Sequence, residues 1–201
     1  MQTDYVITIA RQFGAAGLPV AEELSRRLGI EYFNRVLVDR AAEELKIPAA
    51  KVLEEEELKD GRRDSIFEKL FPLGNGPRDL QDKIFAAQSH VIQSLAENRS
   101  CIIVGRCADY VLRKFDNTLN VYFYASLEAR VRYCVDYLGM SEDEALKIIP
   151  KAEKARKNYH IHYTGYELDD PAHKDLLIDT GKFGVSGTAD ILEHIIKTKY
   201  C

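Results

Sequence analysis

The stretch ITIARQFGAAGLPVAEEL, residues 7–24, decides the fold because it sets a strand, a turn and a helix in immediate succession. The run YVITIA at residues 5–10 is rich in β-branched residues, which favours a strand. Gly14 and Gly17 bracket a short turn, and Pro19 suits the first turn of a helix, where its missing N–H would have no partner. This is the layout of a loop that binds phosphate through backbone N–H groups and the positive end of a helix dipole.

The turn departs from the usual phosphate-binding signature, GxxxxGK[ST], at four positions. Gly17 stands where the lysine would be, and Leu18 stands where a hydroxyl side chain normally contacts magnesium. Ala10 replaces the first glycine and Ala16 the last. Arg11, at the end of the strand, could supply the charge that a lysine would have given. Taken alone, the loop is compatible with a phosphate site and with a tight turn that needs glycine for its backbone angles.

Further strand patterns alternate with helical patterns along the chain. The later predicted strands cover residues 30–34, 101–106, 119–125 and 175–180. This alternation predicts an α/β fold of three layers, α/β/α, around a parallel five-stranded sheet. Ligands of such sheets bind at the carboxyl ends of the strands. We therefore expect a site formed by the loop after Ala10, the pair Gly105 and Arg106, and the turn after Thr180.

The helical patterns define a further lobe and several helix ends. The length of 201 residues fits one domain, residues 1–201, and the mostly helical segment of about 48–98 is expected to be an insert within it. Ser141 and Glu144 form a capping box that starts a helix. Pro150 is expected to break or restart that helix, and a last helix is predicted over residues 186–197.

Composition and charge exclude several classes of function. The formal net charge is −4, which is not typical of a general nucleic-acid binder. No apolar run approaches 18 residues, so no membrane span is expected. The four cysteines form no C-x-x-C pair and match no zinc spacing, and we predict no metal site of protein ligands. Scattered cysteines without a signal peptide point to the cytoplasm.

Six segments together carry a family resemblance. They are ARQFGAAGLPVA (residues 10–21), LGIEYFNRVLVDRAAEE (28–44), IIVGRCADYVL (102–112), ASLEARVRY (125–133), EKARKNYHIHYTG (153–165) and KDLLIDT (174–180). In order and spacing they resemble the cytidylate kinase-like family, whose loop also lacks the lysine. The resemblance implies a P-loop kinase-like fold and transfer of a phosphoryl group from ATP, with Mg²⁺, to a nucleoside monophosphate, with cytidylate as the expected acceptor.

The resemblance also assigns site residues. It makes Arg106 the clamp of the acceptor phosphate and places Arg130 against the donor base. It makes residues of about 141–170 a lid whose Lys154 and Arg156 close over the phosphates, with Arg11 beside them. Donor contacts are expected from Gly14, Ala15, Ala16, Gly17 and Leu18, and acceptor contacts from Asn34, Arg35, Asp39, Arg106 and Asp109. Arg132 cannot share a helix face with Arg130 and is expected to be solvated.

The chain departs from the family pattern at several of these positions. Ala15 and Ala16 stand where serine and glycine are usual, Asn34 and Glu153 replace aspartates, and His160 replaces a tyrosine. Three functions therefore stay open: a nucleoside monophosphate kinase, a non-catalytic nucleotide-binding or regulatory protein, and a kinase of another small molecule. Nucleotides are the expected partners, with neither nucleic acid nor membrane, and the helical insert could also form a homodimer interface.

Overall fold

The computed structural model describes residues 4–34 and 78–200, with only the backbone for residues 78–80. Two predicted acceptor contacts, Arg35 and Asp39, lie outside the described residues, as does most of the predicted helical insert.

Within these ranges the chain forms five strands and six α-helices. The strands are β1 (Val6–Arg11), β2 (Glu31–Phe33), β3 (Cys101–Val104), β4 (Thr118–Tyr124) and β5 (Leu176–Asp179). The helices are α1 (Gly17–Leu28), α2 (Arg78–Asn98), α3 (Ala108–Val111), α4 (Leu127–Leu138), α5 (Glu142–Thr164) and α6 (Thr180–Lys199). None of these described helices is long and apolar enough to cross a membrane.

The sheet is parallel throughout, with strand order β2-β3-β1-β4-β5. Strand β1 is central, with Ile7 opposite Ile102 of β3 on one side and Leu119 of β4 on the other. The carboxyl ends of all five strands therefore lie at one edge, and the loop after β1 lies in the middle of that edge. The predicted parallel five-stranded sheet is confirmed.

Helices cover both faces of the sheet, which is why its strands are apolar on both sides. Helices α1 and α6 pack on one face, and α2 and α3 pack on the other. Buried side chains of the first interface include Ile7, Val20, Leu24, Phe123 and Leu192, and those of the second include Val6, Ile92, Ile103 and Leu112. A third cluster joins Phe13 of the loop to α4 and α5.

Helix α5 begins as the sequence predicts but does not end where it predicts. Ser141 accepts from the N–H of Glu144, and the Glu144 side chain accepts from the N–H of Ser141, so the capping box is confirmed. The expected break at Pro150 is wrong, because α5 continues through it to Thr164. Proline removes one helical hydrogen bond, and the buried neighbours Ile149 and Ala152 hold the helix in the third cluster.

The last helix starts six residues earlier than predicted. Asp179 accepts hydrogen bonds from the N–H groups of Gly181 and Lys182 and caps α6 at Thr180. The backbone of Gly184, with φ +65°, is non-helical and separates this first turn from the rest of α6. The predicted boundary at residue 186 is therefore the restart after Gly184. The start of α6 consequently lies at the carboxyl edge of the sheet.

Candidate active site

The loop between β1 and α1 has the backbone geometry of an anion site. Gly14 and Ala16 have left-handed backbones, with φ of +79° and +49°. Ala16 is the N-cap of α1, and its methyl side chain offers no oxygen to the helix. The N–H groups of Gly17 and Leu18 stand in the first turn, where a helix provides no acceptor. They and the helix dipole favour an anion at this position.

Gln12, which the sequence analysis did not single out, and Thr180 hold the loop in place. Gln12 donates its N–H to Phe123 O (2.9 Å), and its Oε1 accepts from the N–H of Ala125 (3.0 Å), so the loop is tied to the end of β4. Thr180 donates its hydroxyl to Ala15 O (3.1 Å) and is buried. The predicted turn after β5 thus supports the loop. Gln12 directly follows β1 and Thr180 directly follows β5. A polar residue in such a position was the sequence signal that could have identified Gln12.

Two glycines leave the room that the Arg11 side chain occupies. A Cβ on Gly17 would lie 2.8 Å from Arg11 Cγ, and a Cβ on Gly105 would lie 2.5 Å from Arg11 Nη1. Both distances are shorter than van der Waals contact, so neither position accepts a side chain without moving Arg11. The arginine extends from β1 across the edge to the turn after β3. The glycine that replaces the usual lysine therefore provides the space for the Arg11 side chain.

Arg11 is the centre of a cluster of cations. Arg156 Nη1 donates to Arg11 O (2.9 Å). Burial, and then the charges of Arg156 and Arg106, lower the pKa of the Arg11 guanidinium well below its usual value, against the opposing charge of Glu153. Burial also lowers the pKa of Arg156 to about 10, with Glu153 and Tyr122 opposing. Like charges gathered in this way favour an anionic ligand.

Glu153 places a carboxylate inside this cluster. Phe13 of the loop donates its N–H to Glu153 Oε1 (2.5 Å). Arg130 Nη1 lies 3.6 Å from the same oxygen, and the Arg130 side chain is only 12% exposed. Within the described ranges, Arg130 Nε and Nη1 are buried without a hydrogen-bond partner. The protein's own carboxylate thus occupies one loop amide, while nearby guanidinium N–H groups stay unsatisfied.

The turn after β3 is strained where it presents Arg106. Gly105, Arg106 and Cys107 have consecutive positive φ angles of +81°, +60° and +53°. Left-handed backbone costs a residue with a Cβ about 1–2 kcal/mol, and such strain clusters at functional sites. Arg106 also interacts with Tyr159 of α5: burial raises the pKa of the Tyr159 hydroxyl, and Arg106 opposes that shift.

The remaining predicted residues fall in different places. Leu18 is 41% exposed at the start of α1, and Asn34 is half-buried directly after β2. Lys154 is exposed on α5, and no contact to the arginine cluster is seen for it in the described part of the chain. Arg132 is 66% exposed and pairs with Glu128, so it is separated from Arg130 as predicted. Roles for Leu18, Asn34 and Lys154 stay predictions.

Asp109 lies in a buried network that the sequence analysis did not anticipate. Its Oδ2 accepts from Lys174 Nζ and from the hydroxyl of Tyr166 (3.1 Å). His160 Nε2 is 3.9 Å from the same oxygen and is buried without a hydrogen-bond partner among the described residues. This network joins α3 to the end of α5 and to the segment before β5. An acceptor contact by Asp109 stays a prediction.

Acid is expected to destabilise the fold through His160. Burial lowers its pKa, with Asp109 opposing and Lys174 and His173 adding to the shift. The unfolded chain therefore binds this proton more readily, so the stability due to neutral His160 is present above pH about 6.5 and is lost as the pH falls below that value. Between pH 7.5 and 5, the unfolding free energy measured with denaturant should fall less in His160→Phe than in wild type. The exposed His162→Phe should lose as much unfolding free energy over this pH range as wild type does. Equal losses in all three proteins would contradict the role of His160.

Gly14 is expected to tolerate no side chain. Its Cβ would lie 2.8 Å from Arg130 O and 3.0 Å from Arg130 Cβ. Gly139 also has a positive φ, +68°, but a Cβ there would meet nothing within 4 Å. Gly139→Ala should lower the unfolding free energy by about 1–2 kcal/mol for the backbone alone, and Gly14→Ala should lose about 1–3 kcal/mol more. Urea unfolding of both variants measures the difference, and equal losses would contradict the close approach to α4.

Comparison with known proteins decides the family. Residues 6–182 match the model of the cytidylate kinase-like family. The chain belongs to that family. Its arginine cluster and lysine-free loop are therefore features of a cytidylate kinase-like protein, and the predicted P-loop kinase-like, three-layer fold is confirmed.

Curated relatives share part or nearly all of this cytidylate kinase-like chain. Cytidylate kinase of Methanocaldococcus jannaschii is 30% identical over 51% of this chain and 58% of that protein, and that of Thermococcus sibiricus is 28% identical over 52% and 53%. The chain thus spans little more than half the length of these relatives. Cytidylate kinase of Sulfolobus acidocaldarius is 26% identical over 96% of this chain and 94% of that protein.

Solved structures share the fold at low identity. An uncharacterized protein from Eubacterium ventriosum superposes with a TM-score of 0.73 at 24% identity, covering 98% of this chain and 100% of that one. Shikimate kinase from Bacteroides thetaiotaomicron superposes with a TM-score of 0.57 at 10% identity, covering 96% and 98%. These likenesses establish the architecture alone.

Proposed function

We propose that this chain is a nucleoside monophosphate kinase that moves the terminal phosphoryl group of ATP to a monophosphate, with cytidylate as the expected acceptor. One observation carries the proposal: Arg11, Arg106, Arg130 and Arg156 gather around the loop at the carboxyl edge of the sheet, with Glu153 as the carboxylate that faces them. Family membership supports the same class of function. Several guanidinium groups around one anion site suit phosphates, which carry several negative charges.

The chemistry asks the protein mainly to align two phosphates and to neutralise charge. We assign the donor phosphates to the amides of Gly17 and Leu18 and to Arg11. Arg106, on the turn after the neighbouring strand β3, would hold the acceptor phosphate beside them. An oxygen of the acceptor attacks the terminal phosphorus of the donor, the bond to the bridging oxygen breaks, and both products leave as diphosphates. Arg156 would offset the charge that spreads over the transferring group.

Glu153 would leave the loop when a phosphate binds. Glu153 Oε1 already accepts from the Phe13 N–H, and a second anion beside this carboxylate is unfavourable because like charges repel. Glu153 and Arg156 lie three residues apart on α5, and so on neighbouring positions of the same helix. Movement of α5 would couple the withdrawal of the carboxylate to the placement of Arg156. We propose this role for a lid of about residues 141–170. The lid and a helical lobe of about residues 48–98 would both belong to one domain.

The described residues fit a polyphosphate better than a metal held by the protein. They contain no group of three or more His, Cys, Asp or Glu side chains placed to hold a metal ion. Magnesium commonly keeps most of its waters and binds through substrate phosphates. We therefore propose that Mg²⁺ would bind together with ATP and would offset charge on the donor phosphates.

We also propose that the protein is a cytoplasmic enzyme. Its partners would be nucleotides rather than nucleic acid or membrane, and a homodimer is a compatible assembly.

A second candidate is a protein that binds nucleotides without turnover. The hydrogen bond from Phe13 to Glu153 favours it, because a carboxylate that stayed in place would block the donor phosphates. Leu18, which offers no hydroxyl for magnesium, favours it too.

Release of ADP from ATP and Mg²⁺ with a panel of monophosphates tests the proposal. Turnover with CMP or another nucleoside monophosphate is the expected result. Nucleotide binding by calorimetry without turnover would support the second candidate. Turnover with non-nucleotide acceptors alone would show a kinase of another small molecule and would overturn the proposed acceptor.

A further inference from the structure

Gln88 on α2 is a buried amide without a partner. Its side chain is fully buried, and neither Oε1 nor Nε2 has a hydrogen-bond partner in the part of the chain that the structure describes. It interrupts an otherwise apolar buried stripe that includes Ile84, Ala87 and Ile92. Buried side-chain amides in proteins are nearly always paired. An unpaired one points to a polar group that binds there.

The position of α2 places Gln88 near the proposed acceptor side. Two residues separate the end of α2 from β3, so α2 must run antiparallel to β3 and its earlier turns lie nearer the carboxyl edge. Ile92 packs in one cluster with Ile103 of β3 and Phe33 of β2. Gln88 is one turn earlier, or about 6 Å nearer that edge. It therefore lies toward the carboxyl edge of the sheet, where the turn with Arg106 also stands.

An aromatic group connects this part of α2 with Arg106. Phe85 stacks on Tyr163 of α5 with ring centroids 3.9 Å apart and planes 11° apart. Tyr159 packs against Tyr163 at 4.9 Å, as their spacing of four predicts, and interacts with Arg106. Gln88 is one turn from Phe85 on the same helix. A planar, polar ligand edge at Gln88 would thus lie beside flat apolar surfaces, with a phosphate-binding arginine close by.

We propose that the Gln88 amide recognises the base of the acceptor nucleotide. A glutamine presents one acceptor beside two donor hydrogens. The cytosine edge presents the complementary pair, with ring N3 as acceptor and the 4-amino group as donor. The inference rests on the proposed function and adds that a nucleobase with such a hydrogen-bonding edge, as cytosine has, rather than a sugar or an acid, lies between α2 and the turn after β3. Gln88 thereby becomes a residue that binds the base of the acceptor.

Affinity for CMP and thermal stability together test this inference. In Gln88→Leu, and in the longer Gln88→Met, the dissociation constant for CMP measured by calorimetry should rise about 10- to 100-fold, as when a ligand group loses buried partners. The affinity for ATP should not change, and neither should that for ribose 5-phosphate, which has the phosphate but no base. The unfolding midpoint should rise by about 2–4 °C, because an unpaired polar group is removed. The exposed Gln93→Leu on the same helix is the matched control and should change none of these.

The outcomes separate this inference from the proposed function. If wild-type protein phosphorylates CMP and Gln88→Leu binds CMP as well as wild type does, the base lies elsewhere and the inference is overturned. If both Gln88 variants lower the midpoint, the amide is paired within the protein and the inference is equally overturned. If wild type binds no monophosphate, the proposed function fails, and the inference fails with it. Loss of CMP affinity without any turnover in wild type would support the inference alone.

Discussion

Replacing Arg106 with alanine is expected to lower kcat/KM for the monophosphate by about 100- to 1000-fold, as for other preorganised charged donors at a transferring group. Arg106 follows β3, the strand beside β1, on a turn with three consecutive left-handed residues. Burial lowers the pKa of the Arg11 guanidinium most, followed by the charge of Arg156 and then by that of Arg106. Removing it leaves the acceptor phosphate without its clamp and the transferring charge less compensated.

Steady-state ADP release with varied monophosphate measures this effect. Arg132→Ala is the matched control, because Arg132 is 66% exposed and pairs with Glu128 away from the cluster. Arg106→Lys should fall between wild type and Arg106→Ala, since an ammonium keeps the charge but not the bidentate geometry. An Arg106→Ala variant with the kcat/KM of Arg132→Ala would remove Arg106 from the acceptor site.

Replacing Arg11 with methionine is expected to lower phosphoryl transfer by at least about 100-fold while leaving the fold as stable as wild type or more stable. Burial and the charges of Arg156 and Arg106 disfavour the charged form of Arg11 in the folded protein, as its lowered pKa indicates. Methionine keeps a long flexible side chain between Gly17 and Gly105 and removes the repelled charge. The site would thus lose the positive charge that stands in for the usual lysine. The folded state would no longer contain the repulsion between Arg11 and the neighbouring arginines.

Two measurements on the same variant check this pair of effects. The unfolding midpoint reports the stability, and tripolyphosphate should raise that midpoint less in Arg11→Met than in wild type because bound anions stabilise only the folded state. Arg26→Met is the control, since Arg26 is exposed and pairs with Glu23 on α1. A lower midpoint in Arg11→Met, or an unchanged response to tripolyphosphate, would show that Arg11 is a structural residue.

The fold could be predicted because it depends on local patterns. Apolar strands that alternate with helices, and the glycine turn before Pro19, are written in consecutive residues. The break at Pro150 was predicted wrongly because the packing of Ile149 and Ala152 against α4 depends on residues distant in sequence. Tertiary packing overrides local propensity in such cases.

The site could be predicted in its location but not in its contacts. Strand ends pointed to the loop, to Arg106 and to the turn at Thr180, because parallel strands share one edge. The approach of Arg11 to Gly105 and the hydrogen bond from Phe13 to Glu153 depend on contacts between residues nearly 100 or more positions apart. Gln88 gave no signal at all in the sequence, because an unpaired amide is visible only once its burial is known.

A crystal structure with bound ADP tests most directly whether the loop and its arginines form the phosphate site. We expect the β-phosphate within hydrogen-bond distance of the N–H groups of Gly17 and Leu18 and of the Arg11 guanidinium. We also expect Glu153 to have left the N–H of Phe13. If ADP binds elsewhere while Glu153 keeps its hydrogen bond to Phe13, the loop is closed to phosphate and the proposed kinase has no donor site.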